Sequence, residues 1–411
     1  MQLVRGGPGL PNNPMTGWQG GWRSFRLSSM RFHVLGLGSV GSLLAHNLRR
    51  SIPRTHEIVL IHKTADKALR FAQHRGKLSV DCKGVVTSSS NFLSEVFEGP
   101  DLANSSGNTV DPDSKPIHSL FVTAKAQHTL PAIERLGPRI SPTSTIVLLQ
   151  NGMGMYEELV KHVFPNPSTR PHFILGTNSH GTYLRNDLVV HAGLGSIEFG
   201  ILPDIHGRDF EASLLPDGVG QLSINNITKP GDPEYERYQH LRSTVAALLL
   251  LEDLNVSWKP MTHLQLALRR KLVVNSVINP LTALMRCRNG DILNAPTFDS
   301  VSEAVCQEAS NVFAAQIHSE ASEYGDEADI RRLPSMLMAA SLQHEAQRIA
   351  KHTGSNKSSM LSDIEKGKRT EIDYINGYLI RLGSMYNVPT PVTSNLYNLV
   401  KMREALPLDV F

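Results

Sequence analysis

The stretch MRFHVLGLGSVGSLLAHNLRR, from Met30 to Arg50, decides the fold of this 411-residue chain. A short apolar run is followed by three glycines in a G-x-G-x-x-G pattern and then by an amphipathic segment. Such glycines permit a tight turn, let a phosphate approach the backbone, and let a helix pack on a strand. Because strand and helix contexts are both present, we expect a dinucleotide site, the alternative being a structural glycine turn. The expected pyrophosphate-binding residues are Gly36, Leu37, Gly38, Ser39, Val40 and Gly41.

The remainder of the first half continues an alternation of apolar strands and helical segments. The runs HEIVLIHK (56–63), HSLFVTAKAQ (118–127) and STIVLLQNGMG (144–154) predict further strands of a parallel sheet with crossover helices. Beyond Met261 the strand signals disappear and long helical patterns dominate. We therefore predict an α/β Rossmann-like dinucleotide-binding domain over 31–260 and an all-α domain over 261–411. Turn-rich surface insertions are expected at 97–116 and 203–233.

The first thirty residues form an extension that we exclude from the fold. They contain arginines but no Asp or Glu, together with many Gly, Pro and Ser residues. This bias is typical of a mitochondrial transit peptide, and the alternative is an unstructured tail. The localisation expected from the sequence is therefore intracellular, either cytoplasmic or mitochondrial.

Composition excludes several classes of protein. The net charge of +3 is too small to indicate nucleic-acid binding. No apolar run is long enough to span a bilayer, so no membrane partner is expected. The three cysteines, Cys82, Cys287 and Cys306, are too far apart to indicate disulfides or a zinc site, and we expect no metal.

The ends of the predicted strands indicate which dinucleotide binds. The second strand ends in Lys63, with no carboxylate before Asp66, and a cation here suits the 2′-phosphate of NADP. The alternative is a solvated loop lysine. Lys125 and Asn151 follow two later strands, where ligands of open parallel sheets bind. The alternative for the NGMG segment that begins at Asn151 is a bare turn.

The segment RRKLVVNSVINPLTALMRCRNG (269–290) predicts a buried helix with a polar stripe. Lys271, Asn275 and Asn279 are four residues apart and are separated by apolar residues. Buried polar groups need partners, which a small polar ligand supplies. The alternative is that Lys271 extends to water and the asparagines cap neighbouring turns. Pro280 predicts that the helix ends or kinks there.

A lysine beside a dinucleotide site has a clear chemical use. An ammonium group stabilises the charge that forms on a keto oxygen during hydride transfer, and it donates the proton. Farther on, Glu371 and Asp373 open the segment TEIDYINGYLI. Either Thr370 and Asp373 cap a helix there, or Glu371 projects into the cleft and binds the cofactor.

The chain resembles the ketopantoate reductase family from about Met30 to Glu404. The matching pieces occur in the order of the family, and the two that begin RRKLVV and SSML are more specific than the glycine loop. They are VLGLGSVGSLLA, VTAKAQ, LLQNGMGMYEEL, GTNSHG, RRKLVVNSVINPLTALMRCRNG, SSMLSDIEKGKRTEIDYINGYLIRLG and VPTPVTSNLYNLVKMRE.

The resemblance implies a fold, a reaction and a set of residues. It implies a Rossmann-like domain with a helical domain like the C-terminal domain of 6-phosphogluconate dehydrogenase, NADP(H) as cofactor and a small 2-oxo acid as substrate. The expected reaction is reduction of ketopantoate to pantoate, by a monomer or homodimer. Lys271 matches the proton donor. The matching cofactor positions outside the glycine loop are Lys63, Lys125, Asn151, Thr182 and Glu371. The matching substrate positions are Asn275, Asn279, Asn289 and Ser359, and Asn356 is expected near them.

Two other functions remain open from the sequence. One is a related reductase of another branched 2-oxo acid. The other is a non-catalytic NADP-binding sensor or assembly protein, against which the presence of Lys271 argues, because a binding module needs no proton donor.

Overall fold

The computed structural model describes residues 29–97, 115–214, 220–323 and 332–406. Residues 1–28 of the predicted extension and 98–114 of the first predicted insertion lie outside the described residues. Strands and helices are numbered separately along the chain. The strands are β1 (Arg31–Leu35), β2 (Glu57–His62), β3 (Leu78–Cys82), β4 (Val85–Ser89), β5 (Leu93–Val96), β6 (Ile117–Val122), β7 (Ile140–Leu148), β8 (His172–Asn178), β9 (Gly181–Arg185), β10 (Leu188–Gly193), β11 (Ile197–Ile201) and β12 (Val256–Trp258).

The helices divide between a sheet-bearing part and a helical part. Those of the sheet-bearing part are α1 (Ser39–Ser51), α2 (Ala65–Gln73), α3 (Thr129–Leu136), α4 (Met155–His162), α5 (Ile224–Ile227) and α6 (Tyr235–Leu249). Those of the helical part are α7 (Met261–Met285), α8 (Phe298–Glu323), α9 (Ala339–His352), α10 (Ser359–Glu365), α11 (Asn376–Met385) and α12 (Pro391–Ala405).

The main sheet has the strand order β12-β11-β8-β7-β6-β1-β2-β5. Pairing is parallel from β8 through β5, and β11 runs antiparallel to β8. Leu35 pairs with both Ile61 and Val122, so β1, β2 and β6 end at one level. The chain order reverses direction beside β1, and ligands of open α/β sheets bind at such a switch point, beyond the carboxyl ends of the strands.

The strands at the centre of this sheet are apolar and are buried on both faces. Phe32, Val34, Ile58, Leu60 and Phe121 have no exposed surface. Continuous apolar runs are typical of parallel strands covered by helices on both sides.

A second, four-stranded sheet, ordered β4-β3-β10-β9, was not expected from the sequence. Its strands are short and partly polar, and they form two hairpins with two-residue loops. Both loops have positive φ angles, at Lys83 and Gly84 in one and at Asn186 and Asp187 in the other. Positive φ at both positions gives the backbone twist that tight hairpins need.

The structure narrows two sequence-based expectations about the chain path. Helix α7 does not end at Pro280 but continues to Met285. Proline removes the hydrogen bond to the Ser276 carbonyl, four residues earlier, and the Asn376 Nδ2 amide donates to that oxygen instead, at 3.1 Å. The described part of 203–233 is not purely surface, because Phe210 and Ile227 are buried in the core of the sheet-bearing part.

Candidate active site

The turn between β1 and α1 has the geometry of an anion-binding turn. Gly36 has φ +101°, and a Cβ there would lie 2.2 Å from the Ala124 nitrogen. A Cβ on Gly41 would lie 2.1 Å from the Gly36 oxygen. Gly38, by contrast, faces open space with nothing within 4 Å and caps α1 without a side-chain hydrogen bond. The amides at this helix N-terminus therefore face a space that suits a phosphate.

The small sheet reaches this turn through Thr182. The Thr182 hydroxyl donates to the Ser39 hydroxyl at 2.9 Å, and the Ser39 hydroxyl lies 3.3 Å from the Thr182 carbonyl. Leu37 packs partly buried against the core, and Val40 is half-buried in the first turn of α1. The structure therefore brings Thr182 to the glycine turn.

Lys125 joins the sheet to the helical part. Its Nζ atom lies 2.5 Å from Asp363 Oδ2 and 3.3 Å from Glu371 Oε2. Glu371 also accepts the Ala126 N–H, at 3.2 Å, through its other oxygen. Burial alone would lower the pKa of Lys125, but the charges of Glu371 and Asp363 outweigh it and raise the pKa above its ordinary value. Two carboxylates of the helical part thus lie at the carboxyl end of β6.

These contacts argue against the capping alternative for the segment after Thr370. Glu371 is buried and reaches Lys125. Asp373 does not cap a helix, because its carboxylate accepts from Tyr397 at 2.7 Å and Lys401 at 3.2 Å. The regular helix α11 begins only at Asn376.

Exposed cations lie near the end of β2. Lys63 is exposed and follows the last residue of that strand. Desolvation lowers the pKa of His128 below its ordinary value, and the nearby charges of Lys63, Arg369 and Lys125 lower it further. Arg369 is also tied to the loop after β6, because its carbonyl accepts from the Gln127 amide at 3.1 Å. Positive charge therefore concentrates where the sequence placed only Lys63.

The loop after β7 packs against the helical part. Half-buried Asn151 precedes Gly152, which has φ +82° and where a Cβ would lie 2.4 Å from the Tyr374 oxygen. The Met153 N–H donates to that same oxygen at 2.9 Å. The NGMG segment is therefore a close contact between the two parts of the chain rather than a bare turn.

Lys271 faces the end of β8. Its Nζ atom donates to the backbone oxygen of Asn178 at 2.7 Å. Burial lowers the pKa of Lys271 to about 8, while the negative charge of Glu371 opposes that shift. The lysine therefore does not extend freely into water, and the charge of Glu371 acts on its proton affinity.

The asparagines of α7 lie along the same helix as Lys271. Asn279 is buried and Asn275 half-buried. Within the described residues, neither side chain makes a hydrogen bond, so both amides can bind a ligand.

Asn289 lies beyond the end of α7 against the loop that precedes α10. Its Nδ2 atom donates to Thr353 at 2.9 Å, and its backbone N–H donates to the Asn356 oxygen at 2.9 Å. Its buried Oδ1 atom lacks a partner among the described residues. Asn356 and Ser359 are exposed. Asn289 and Asn356 are thus linked to each other, and Ser358, the residue before Ser359, accepts from Thr282 of α7 at 2.7 Å.

Sequence reasoning missed several members of this site. Asp363 carried one signal, an acidic residue between the apolar residues Leu361 and Ile364 of α10. His128 and Arg369 lie beside motifs that were identified, but nothing in the sequence joins them to Lys63. Asn178 contributes a backbone oxygen, for which sequence gives no residue-type signal.

Two surveys of the described residues concern other kinds of site. Among the helices of the described ranges, none has the length and apolar character needed to cross a lipid bilayer. In the same part of the chain, no group of three or more His, Cys, Asp or Glu side chains is arranged to hold a metal ion.

Comparison with known proteins agrees with the fold. The family model "Ketopantoate reductase PanE/ApbA" matches residues 32–204, and "Ketopantoate reductase PanE/ApbA C terminal" matches 263–404. A "Probable 2-dehydropantoate 2-reductase" of Schizosaccharomyces pombe is 25% identical over 377 residues, covering 91% of this chain and 96% of the relative. The "2-dehydropantoate 2-reductase" of Saccharomyces cerevisiae is 26% identical over 390 residues, covering 91% and 94%.

Among solved structures, a D-mandelate dehydrogenase with NADH and anilino(oxo)acetate has a similar fold. It superposes with a TM-score of 0.64 at 19% identity, over 92% of this chain and 98% of that chain. Fold and family models together define a two-domain oxidoreductase with a Rossmann-like sheet, which confirms the predicted fold class. The chain belongs to the ketopantoate reductase family.

Proposed function

We propose that this protein reduces 2-dehydropantoate (ketopantoate) to (R)-pantoate with NADPH, as a step of pantothenate and coenzyme A biosynthesis. The relatives in two yeasts carry the name of this reaction and match this chain over nine-tenths of its length. The observation that carries the proposal is the position of Lys271, whose ammonium is held at the carboxyl edge of the sheet with its pKa lowered to about 8.

The residues around the glycine turn fit a dinucleotide phosphate. Gly38 leaves open space before the N-terminus of α1, where a diphosphate binds favourably. The cations Lys63 and Arg369, whose charges both act on His128, favour the 2′-phosphate and therefore NADPH over NADH. The remaining residues assigned to the cofactor are Lys125, Asn151, Thr182 and Glu371. Bound NADPH supplies the hydride that reduces the keto carbon.

Lys271 supplies the proton. With a pKa of about 8, the amine is mostly charged at neutral pH and still gives up its proton readily. The ammonium stabilises the negative charge on the keto oxygen and transfers a proton to it, which leaves a neutral amine that regains a proton from water. The Asn178 carbonyl accepts one of the three N–H bonds and leaves the others for the substrate.

The asparagines of α7 and the loop before α10 orient the substrate. Asn275 and Asn279 have amides with no hydrogen bond within the described chain, and we assign them to the keto and hydroxyl oxygens. The exposed hydroxyl of Ser359 is assigned to the carboxylate. Asn289 and Asn356 complete the substrate residues.

Loss of NADPH absorbance on adding ketopantoate to the purified full chain tests the reaction. A panel of other branched and aryl 2-oxo acids, assayed alongside, distinguishes a related reductase from the proposed one by the ratio of kcat/KM values. Lys271→Ala should lower kcat by about 10²–10⁴-fold, the usual effect of removing a positioned general acid.

Lys161→Ala, which removes an exposed lysine on α4, is the control for loss of a positive charge. Ketopantoate turnover that is unchanged in Lys271→Ala would overturn the role of that residue. Absence of NADPH oxidation with every 2-oxo acid, despite NADPH binding, would instead favour a non-catalytic binding protein.

A further inference from the structure

The turn after β8 carries the carbonyl group that holds Lys271. Asn178 is the last residue of β8, and its backbone oxygen accepts the Lys271 ammonium at 2.7 Å. Its side-chain Oδ1 atom accepts the backbone N–H of His180 at 3.0 Å. Asn178 also pairs with Ile197 of β11, so the position of the oxygen that Lys271 contacts depends both on that pairing and on how the turn from Asn178 to His180 is fixed.

The His180 ring fixes this turn on two sides. The ring is buried, and its Nε2 atom lies 3.0 Å from the backbone oxygen of Leu254. A carbonyl oxygen only accepts, so Nε2 carries the proton and Nδ1 is the acceptor. Nδ1 accepts the Gly195 N–H at 2.9 Å and lies 2.9 Å from the Nε2 atom of His191, which donates to it.

His191 extends this network to the small sheet. It lies on β10, is buried, and its ring centroid is 4.8 Å from that of His180 at an angle of 71°. Strand β10 pairs with β9, where Thr182 contacts the Ser39 hydroxyl of the glycine turn. The two histidines and the small sheet thus connect the glycine turn to Asn178, whose carbonyl accepts from Lys271.

We propose that His180, held by His191, is a positioning residue for Lys271 and fixes the Asn178 carbonyl to which the ammonium donates. Neither ring contacts Lys271 itself, so the effect passes through the backbone of the turn. The proposal rests on the proposed role of Lys271 as the proton donor.

The network has a measurable consequence for Lys271. A carbonyl that accepts from an ammonium favours its charged form and opposes the burial that lowers the pKa. If the turn loses its fixed position, the pKa of Lys271 should fall below about 8. Glu371 is the charged group that acts on Lys271, and changes at His180 leave it in place.

Two substitutions of His180 test the contacts of its two ring nitrogens one at a time. In His180→Asn, Oδ1 takes the place of Nδ1 and still accepts from Gly195 and His191. In His180→Gln, the amide takes the place of Nε2, keeps the Leu254 contact and loses the acceptor. His191→Gln and His191→Leu form a second pair, because glutamine keeps a donor near the Nε2 position and leucine removes it.

The pKa of Lys271 is measured in the full-length protein by NMR of ¹³C-labelled lysine side chains, with Lys271→Arg to assign the signal. Fluorescence titration gives NADPH affinity, and the pH profile of kcat/KM gives the apparent pKa of the acid. We expect His180→Gln and His191→Leu to lower both pKa values by about 1, with NADPH affinity changed by less than about twofold. His180→Asn and His191→Gln should retain the wild-type values.

His172→Gln is the matched control. Like His180, His172 is buried, but it is the first residue of β8, at the end away from Asn178, and it contacts the Arg237 carbonyl. This substitution should change stability and leave the Lys271 titration unchanged. Wild-type titration of Lys271 in both His180→Gln and His191→Leu overturns the proposal, as does an equal change in His172→Gln. Failure of the proposed function has a different signature, since Lys271→Ala would then turn over ketopantoate normally while the NMR titration still tests the network.

Discussion

Lys125 Nζ lies 2.5 Å from Asp363 Oδ2, in an ion pair that connects the end of β6 to α10 of the helical part. Glu371 contacts the same ammonium at 3.3 Å. Glu371 also has a longer reach, because its charge opposes the lowering of the pKa of Lys271 by burial. The charge of Glu371 therefore acts on two lysines, Lys125 after β6 and Lys271 on α7.

Glu371→Gln should lower the pKa of Lys271 further below about 8. A negative charge nearby favours the ammonium, so its removal makes the proton easier to lose. The alkaline limb of the kcat/KM–pH profile should therefore move to lower pH. Asp363→Asn removes the other partner of Lys125 and should leave this limb in place. Equal movement of the limb in both variants would contradict the assignment of the effect to Glu371.

The glycine turn gives a second prediction, in which two similar substitutions have opposite outcomes. Gly36→Ala should destabilise the fold by several kcal/mol, because the residue has φ +101° and the new Cβ would overlap Ala124. Gly38→Ala should fold with a nearly unchanged Tm, because nothing lies within 4 Å of its Cβ.

A methyl group at Gly38 points into the space assigned to the diphosphate, so NADPH affinity should fall by about tenfold or more. Thermal unfolding and fluorescence titration with NADPH measure the two effects. Gly38→Ala with wild-type NADPH affinity would place the diphosphate elsewhere.

The sequence predicted those parts of the fold and of the candidate site whose residues are close together along the chain. The glycine turn was predictable because its strand, glycines and helix are contiguous and each has a physical role. The small sheet was not predicted, although the Lys83-Gly84 and Asn186-Asp187 loops carried a hairpin signal. Its polar, half-exposed strands lack the apolar runs that marked the main sheet.

The features that the sequence did not predict depend on contacts between residues far apart along the chain. Helix α7 continues past Pro280 because Asn376, far along the chain, donates to the Ser276 carbonyl that Pro280 leaves free. The polar stripe identified Lys271, but its partner is a backbone oxygen that any residue at 178 would carry. Lys125 pairs with Asp363 because the sheet-bearing part and the helical part pack against each other there. The sequence around neither residue indicates that packing.

Preference for NADPH over NADH gives a third prediction. Lys63→Ala and Arg369→Ala should each lower NADPH affinity by about tenfold, because a charge-assisted contact to phosphate is lost. NADH lacks the 2′-phosphate, so its affinity should change little. Lys67→Ala, on exposed α2, controls for general loss of positive charge. Isothermal titration with both dinucleotides measures these affinities. Equal losses of affinity for NADPH and NADH would show that Lys63 and Arg369 do not bind the 2′-phosphate.

Buried histidines predict that the fold is sensitive to acid. Burial lowers the pKa of His172 to about 4, and burial together with the charge of His118 lowers that of His240 to about 4. In the unfolded chain a histidine binds its proton near pH 6.5, so the unfolded state binds more protons below that pH. The free energy of unfolding should therefore fall as pH decreases from about 6.5 to 4.

His172→Gln should reduce this dependence, because glutamine can donate to the Arg237 carbonyl, which His172 contacts at 3.1 Å, and cannot take up a proton. One histidine with this shift contributes on the order of 3 kcal/mol to the loss by pH 4. The variant should therefore be less stable than wild type at pH 7 and closer to it at pH 5. Urea denaturation at several pH values measures the slope, with His74→Gln, which removes an exposed histidine, as the control. A slope that stays the same in His172→Gln would mean that His172 is protonated in the folded protein as readily as in the unfolded chain.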